Sequence, residues 1–144
     1  MKVLTFPLGQ LQANCYFLIQ DDQCLIIDPA DEASFILEEL QRRKLNLVGM
    51  LATHGHFDHI MATGEIQKSV NIPLFIFKED LFIIDRLEET AEYFLGYKPV
   101  VIKPTSINHL IEVNLKIGAF RIKIIQTPGH TPGSCCFFFN KEKS

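Results

Sequence analysis

Three histidines and an aspartate crowd into the segment Thr53-His54-Gly55-His56-Phe57-Asp58-His59. The apolar run 47–53 leads into this segment and has the length and composition of a buried strand. In an extended segment, residues two apart point the same way, so His54 and His56 can approach one ion while Gly55 lets the backbone pass close. The chain is therefore expected to fold so that a buried strand ends at a group of metal ligands.

Imidazole is a preferred ligand of zinc, and a catalytic zinc takes three protein ligands and leaves one position for water. His54 and His56 supply two of the three. Asp58 and His59 are displaced along the chain and are available to a second ion, and two ions about 3.5–4 Å apart can act as a pair. We predict one or two Zn²⁺ ions, with iron or manganese as alternatives.

The histidine run has two weaker interpretations. Histidines that bind no metal are common as isolated residues, but four ligand-type residues in the order H-x-H-x-D-H are not expected without one. A structural zinc site usually has four closed ligands that include cysteine, which this run lacks.

A further candidate ligand, His130, lies in Thr127-Pro128-Gly129-His130-Thr131-Pro132-Gly133. Prolines and glycines on both sides of His130 are expected to fix this loop. A loop histidine taken alone is more often polar surface, but the upstream run favours a ligand here. His109 has no comparable setting, and we expect no functional role for it.

Composition places the chain among globular proteins. Its 144 residues are 47% hydrophobic and 22% charged, which predicts a single domain over 1–144. A net charge of −3 with scattered basic residues argues against nucleic-acid binding. The sequence contains no apolar run of the roughly 20 residues that a membrane helix needs, and its start lacks the features of a secretory signal. We expect a cytoplasmic protein without a membrane partner.

The four cysteines show no disulfide-type spacing. Cys135 and Cys136 are adjacent and would point to opposite faces of a strand. Cys15 and Cys24 lie in apolar runs. Buried free thiols are the expected state.

Strand and helix patterns alternate along the chain. Strands are predicted at 15–20, 23–27, 47–53, 73–77, 120–124 and 135–139. Helices are predicted at 31–43, with Asp31 as the N-cap, at 59–69 and at 79–95. We interpret the last helix as covering the core, with Tyr93 and Tyr97 walling a pocket as the alternative. This alternation predicts an α/β fold.

The histidine run resembles the H-x-H-x-D-H signature of the metallo-β-lactamase superfamily, and nearly the whole chain resembles the first two-thirds of a compact, glyoxalase II-like (hydroxyacylglutathione hydrolase-like) member. Three other segments support the resemblance: Gln12-Ala13-Asn14-Cys15-Tyr16, Ile26-Ile27-Asp28-Pro29 and the loop around His130 that ends at Ser134. The resemblance implies an αββα sandwich that is incomplete in its second half.

The resemblance also implies roles for individual residues. It assigns two groups of metal ligands, His54, His56 and His130 for one ion, and Asp58 and His59 for the other. Asp28 would orient a ligand histidine. A metal-bound hydroxide would attack the substrate carbonyl, with Asp58 orienting or deprotonating the water.

Members of this superfamily also carry a bridging aspartate and a last histidine downstream, and neither occurs here before the tail Asn140-Lys141-Glu142-Lys143-Ser144. A truncated gene product, a fragment or half of a split protein is therefore expected. The apolar strand 135–139 would then lack a neighbour, which favours homodimers or other self-association along its edge.

The leading hypothesis is a metal-dependent hydrolase of small-molecule thioesters such as acylglutathiones. An iron-dependent sulfur dioxygenase of the same fold and an inactive metal-binding remnant are the alternatives. Flavo-diiron proteins usually have glutamate where this chain has His56. A β-lactamase is disfavoured because no secretory signal is apparent.

Overall fold

The computed structural model describes residues 1–97, 99–111 and 114–139. The elements follow one another as β1 (Lys2–Leu8), β2 (Ala13–Gln20), β3 (Gln23–Ile27), α1 (Ala33–Arg42), β4 (Asn46–Leu51), α2 (Phe57–Ile60), α3 (Thr63–Ser69), β5 (Leu74–Ile76), a 3-10 helix (Lys78–Asp80), α4 (Leu81–Asp85), α5 (Leu87–Leu95), β6 (Ile107–His109), β7 (Asn114–Ile117), β8 (Phe120–Gln126) and β9 (Cys135–Phe139). The tail 140–144, on which the expectation of a truncated chain depends, lies outside the described residues.

Two sheets form from these strands. The first has six strands in sequence order, β1 to β6. Its first three strands are antiparallel, and β3, β4, β5 and β6 run parallel. The second sheet is antiparallel, in the order β7-β8-β9. The two strands predicted at 15–20 and 23–27 form a hairpin, because Gln20 pairs with Gln23 across the turn at Asp21 and Asp22.

The first sheet has a separate core on each face. Alternate residues of β2 divide between these cores: Cys15 and Phe17 pack towards the helices, whereas Leu18 packs towards the second sheet. The helices contribute Ile36, Ile66 and other side chains to the first core and none to the second. The described residues therefore form helix, sheet and sheet layers, and the predicted α/β fold is confirmed.

Two helices differ from those predicted by the sequence pattern, one in its first residue and one by an interruption. The first begins at Ala33, and its N-cap is Glu32, which has a φ of 55°. Asp31 was predicted as the N-cap, but its Oδ1 instead accepts the backbone N–H of Glu32 at 2.7 Å. The helix predicted at 79–95 is interrupted, because Arg86 leaves helical geometry between α4 and α5.

The helix predicted at 59–69 is two helices, α2 and α3. Between them, the N–H groups of Met61 and Ala62 donate to the carbonyls of Ala30 and Pro29, each at 3.1 Å. These bonds tie the break to the loop after β3. That loop also carries Asp28, so these bonds help hold the end of the histidine-bearing segment against it.

Three strands were not predicted, namely β1, β6 and β7. Pro7 lies within β1, which is tolerated because β1 is an edge strand. The other two have three and four residues, too few for a clear alternation.

The last strand, β9, pairs only with β8 within the described part of the chain. Self-association through the other edge of β9 stays a prediction. All four cysteines are free thiols, as predicted. Cys135 is buried as expected, but its neighbour Cys136 is exposed, which contradicts the expected burial, because adjacent residues of β9 point to opposite faces of the sheet. Burial raises the pKa of Cys24 and of Cys135 to about 12. Among the described residues, no helix is long and apolar enough to cross a membrane.

Candidate metal centre

Four segments converge where strands of the two sheets end. Asp28 follows β3, the histidine run follows β4, and the 3-10 helix at Asp80 comes shortly after β5. The loop that holds His130 connects β8 and β9. Because β3, β4 and β5 run parallel, their carboxyl ends meet at one edge, which is where open α/β sheets bind ligands.

His54, His56 and His130 form a compact group. Their candidate ligand atoms all lie within 4.8 Å of one another. The ring centroid of His54 is 5.1 Å from that of His56 and 4.8 Å from that of His130, and the last two centroids are 4.5 Å apart. The structure thus brings together the three histidines that the sequence assigned to one ion, across 74 positions of chain between His56 and His130.

One atom of this group tests whether a metal fits. His54 is buried, with 8% of its surface exposed, and its Nε2 has no hydrogen-bond partner. A buried polar atom without a partner is costly, and it is rare in folded proteins. An ion among the three imidazoles would give Nε2 the partner it lacks.

The protonation state of the histidines also suits metal binding, because a ligand imidazole must be neutral. Burial, together with the nearby His59, lowers the pKa of His54 to about 4. Burial also lowers the pKa of His56, with a further contribution from His130. The three imidazoles thus offer neutral nitrogen donors, which suit a divalent cation such as zinc or iron.

Asp28 lies between the histidine run and the core, only 2% exposed. Its Oδ1 accepts the N–H of Thr53 at 2.8 Å, and its Oδ2 accepts the Thr53 hydroxyl at 2.7 Å and His59 Nδ1 at 3.0 Å. The contact with His59 is of the kind predicted for Asp28. It fixes the ring so that Nε2 is left to face the site.

Thr53 extends this network to a second histidine. Its hydroxyl has one hydrogen, which is donated to Asp28. The Thr53 Oγ1 therefore accepts from Nδ1 of His54, which lies 2.9 Å away. This arrangement puts the His54 proton on Nδ1 and leaves Nε2 with a free lone pair. Thr53 belongs to the predicted histidine run, but no role was predicted for it.

Asp58 and His59 lie beside the three histidines. They belong to α2, and Asp58 Oδ2 is 3.8 Å from His59 Nε2. The His59 ring centroid is 4.2 Å from that of His54. Burial acts to lower the pKa of His59, but the hydrogen bond and charge of Asp28, together with the charge of Asp58, outweigh it and raise the pKa.

Asp80 is a residue that the sequence analysis missed. Its carboxylate is fully buried and accepts Gly55 N–H at 2.8 Å, the Thr131 hydroxyl at 2.6 Å and Gly133 N–H at 2.7 Å. It thus contacts both segments that carry the histidine group. Nothing in the charged triplet Lys78-Glu79-Asp80 distinguishes this residue from its neighbours.

A small cavity of about 30 Å³ lies beside Asp58, and Leu11, Leu95 and Tyr97 help to line it. Tyr97 thus has a place near the site, while Tyr93 is 75% exposed. The helix α5 also covers the core through Leu87 and Ala91, as predicted. His109 is exposed and does not belong to the histidine group. A larger groove of about 640 Å³, between β7, β8 and β9, contains no site residue.

Comparison with known sequences is consistent with this site. The sequence model of the metallo-beta-lactamase superfamily matches residues 8–143. A probable metallo-hydrolase of Bacillus subtilis, YqgX, is 38% identical over 140 residues, which are 96% of this chain and 65% of the relative. Hydroxyacylglutathione hydrolase GloC of Haemophilus influenzae is 31% identical over 146 residues, 99% of this chain and 68% of the relative. The chain thus spans about two thirds of the length of these relatives.

Solved structures show the same fold. The crystal structure of the B3 metallo-beta-lactamase BLEG-1 superposes with a TM-score of 0.87 at 32% identity, covering 98% of this chain and 68% of that one. TTHA1623, crystallised in a di-iron-bound form, superposes with a TM-score of 0.82 at 27% identity, covering 94% of this chain and 66% of that one.

Proposed function

The chain belongs to the metallo-beta-lactamase superfamily, and on that premise we propose that it supplies the metal-binding part of a metal-dependent hydrolase of thioesters such as acylglutathiones. The observation that carries the proposal is the meeting of His54, His56 and His130 around a buried, unpartnered imidazole nitrogen. These three side chains would hold one divalent ion. Asp58 and His59 would contribute to a second.

A bound divalent ion would activate water and polarise the carbonyl of the substrate. The residues of this chain would prepare the rest of the reaction. Asp28 orients His59 directly and His54 through Thr53, and Asp58 would orient the attacking water and accept its proton at the carboxylate. The cavity lined by Leu11 and Tyr97 would place an apolar part of the substrate beside Asp58.

The thioester assignment is supported by the similarity to hydroxyacylglutathione hydrolase GloC. The similarity to a B3 metallo-beta-lactamase of known structure makes β-lactam hydrolysis a necessary comparison in any assay.

The proposal is tested with the purified chain supplied with Zn²⁺ and an acylglutathione, by following thiol release. Hydrolysis should be lost in Asp58→Ala and kept in Asp85→Ala, because Asp85 is an exposed carboxylate on α4, outside the histidine group. Bound metal without thiol release in any variant would instead indicate a metal-binding remnant. A chain that takes up no metal would contradict the proposal.

The second candidate is an iron-dependent sulfur dioxygenase. The observation in its favour is the similarity to TTHA1623, which has been crystallised in a di-iron-bound form. Elemental analysis of the chain as purified separates the two candidates. Iron, together with oxygen consumption on a persulfide, would favour the dioxygenase, whereas zinc and thiol release would favour the hydrolase.

A further inference from the structure

We propose that Asp80 is the positioning residue that locks together the two separate segments carrying the histidine group. The inference rests on the proposed function in that the segments it joins are those of the proposed ligands. Asp80 is itself no ligand, because its carboxylate oxygens already accept hydrogen bonds from both segments.

The contacts of Asp80 lie next to the histidines in the chain. Gly55, whose N–H binds Oδ2, separates His54 from His56. Thr131, whose hydroxyl binds the same oxygen, directly follows His130. One carboxylate oxygen therefore connects the backbone between the first two histidines with the side chain adjacent to the third.

The second carboxylate oxygen binds the same loop as Thr131. Oδ1 accepts the N–H of Gly133 at 2.7 Å. The Ser134 hydroxyl, which accepts the N–H of Thr131 at 3.0 Å and lies 2.9 Å from the Thr131 hydroxyl, braces the same turn. All of these bonds are buried, so each is shielded from competition with water.

Each segment also approaches Asp80 at a glycine, where it has no side chain. A Cβ added to Gly133 would lie 2.7 Å from Cγ of Asp80, and one added to Gly55 would lie 3.1 Å from its Cβ. Gly129, in the same loop as Gly133, has open space around it. The two glycines that donate hydrogen bonds to Asp80 are thus those at which an added side chain would meet it. This is expected of a residue that connects the two segments.

A carboxylate is needed at this position because every partner is a donor. Asparagine has the same shape but replaces one acceptor oxygen with an NH₂ group. In either orientation, Asp80→Asn would set that group against a backbone N–H, of Gly133 or of Gly55. The fold of the sheets would remain, and the spacing of the histidines would lose its support.

The first test compares Asp80→Asn with Gln67→Ala in the complete chain. Gln67 also joins distant segments, because its side chain bonds the backbone of Ile72, Thr105 and Ser106, but it touches no histidine segment. The Zn²⁺ affinity of each variant is measured by competition with a chromophoric chelator. Bound Co²⁺, read by its visible absorption spectrum, reports the geometry of the site.

Asp80→Asn should bind Zn²⁺ roughly tenfold to a hundredfold more weakly than the unchanged chain, with an altered Co²⁺ spectrum. Gln67→Ala should lower the midpoint of thermal unfolding and leave both metal readouts unchanged. Equal Zn²⁺ affinity in Asp80→Asn and the unchanged chain would overturn the inference. If Asp80→Asn does not fold, Thr131→Val replaces it, and Thr131→Ser should restore the affinity because it keeps the hydroxyl.

A metal-free measurement separates this inference from the proposed function. Amide hydrogen exchange at Gly55 and Gly133 should quicken in Asp80→Asn or Thr131→Val, while the amide of Thr53, which is bonded to Asp28, should keep its rate. Unchanged exchange at both glycines would overturn the role of Asp80. Absence of metal uptake by the unchanged chain, with quickened exchange in the variant, would contradict the proposed function and support the link between the segments.

Discussion

The loop around His130 contains the same three residues twice, and the two copies lie in different surroundings. Thr127-Pro128-Gly129 is exposed along its whole length, and Gly129 has open space on its free side. In Thr131-Pro132-Gly133 the threonine and the glycine are buried against Asp80. The difference comes from a 3-10 helix about fifty positions earlier in the chain, so a local repeat does not imply a repeated role.

The two copies have different roles in the loop. The exposed copy leads directly to His130, which is itself exposed and joins the histidine group from the solvent side. The buried copy anchors the loop to the protein. We therefore expect changes near His130 to affect metal binding more than stability, and changes in the buried copy to affect stability first.

The largest effect is expected from His130→Ala. Removal of a proposed ligand should weaken binding of the first ion by more than about 100-fold, because even residues that only support a ligand cost 10–100-fold. Stability of the metal-free chain should change by less than about 0.5 kcal/mol, since the side chain is exposed. Chelator competition and urea denaturation measure the two quantities. A large loss of metal-free stability would break the proposed division.

The next effect separates the two glycines. Gly133→Ala should destabilise the metal-free chain by about 1–3 kcal/mol, because the new Cβ would overlap the Asp80 carboxylate. Gly129→Ala is the matched control and should be nearly neutral, as nothing lies within 4 Å of its added Cβ. Urea denaturation of both variants measures these changes in the free energy of unfolding. Equal destabilisation would show that the two copies are equivalent after all.

Substitution of Thr131 should also destabilise the chain more than substitution of Thr127, and the difference should be smaller than that between the two glycines. Thr131→Val removes a buried hydroxyl that donates to Asp80, which should cost about 1–2 kcal/mol of unfolding free energy. In Thr127→Val, the exposed hydroxyl lost has only a weak contact at 3.9 Å with Cys136 Sγ, so little change is expected. Similar thermal midpoints for these two variants would contradict the comparison.

The last effect concerns pH and acts on His54. Its folded-state pKa of about 4 lies below the ordinary value of 6.5, so the unfolded chain binds more protons between these values. The stability contributed by neutral His54 is complete above about pH 6.5 and is lost as the pH falls towards about 4. His54→Gln should flatten the pH dependence of metal-free stability in this window. Thr127→Val should keep the wild-type slope, because its exposed hydroxyl contacts neither a histidine nor a carboxylate.

The parts of the site that follow from local sequence were predicted well. The histidine run needs only the end of a strand to bring His54 and His56 together. The role of Asp28 was implied by the family resemblance of Ile26-Ile27-Asp28-Pro29, and its bond to His59 agrees with that role. The loop of His130 was marked by its prolines and glycines. These features are visible as short-range patterns in the sequence.

The parts that depend on tertiary contacts could not be predicted. Asp80 gains its importance from bonds to residues 25, 51 and 53 positions away. The break between α2 and α3 arises because Met61 and Ala62 donate to the loop after β3 instead of continuing a helix. Helical periodicity carries no trace of such partners, because it reports only which face is apolar.

One bond between the sheets has a consequence for how the protein folds. The N–H of Cys135, the first residue of β9, donates to the carbonyl of Thr53 at 2.9 Å, next to His54. This contact closes a loop of 82 residues, and contacts of such long range form slowly because their chain entropy must be lost first. The three histidines therefore assemble only after the second sheet has docked, so uptake of metal by refolding chains would mark the completion of folding rather than its beginning.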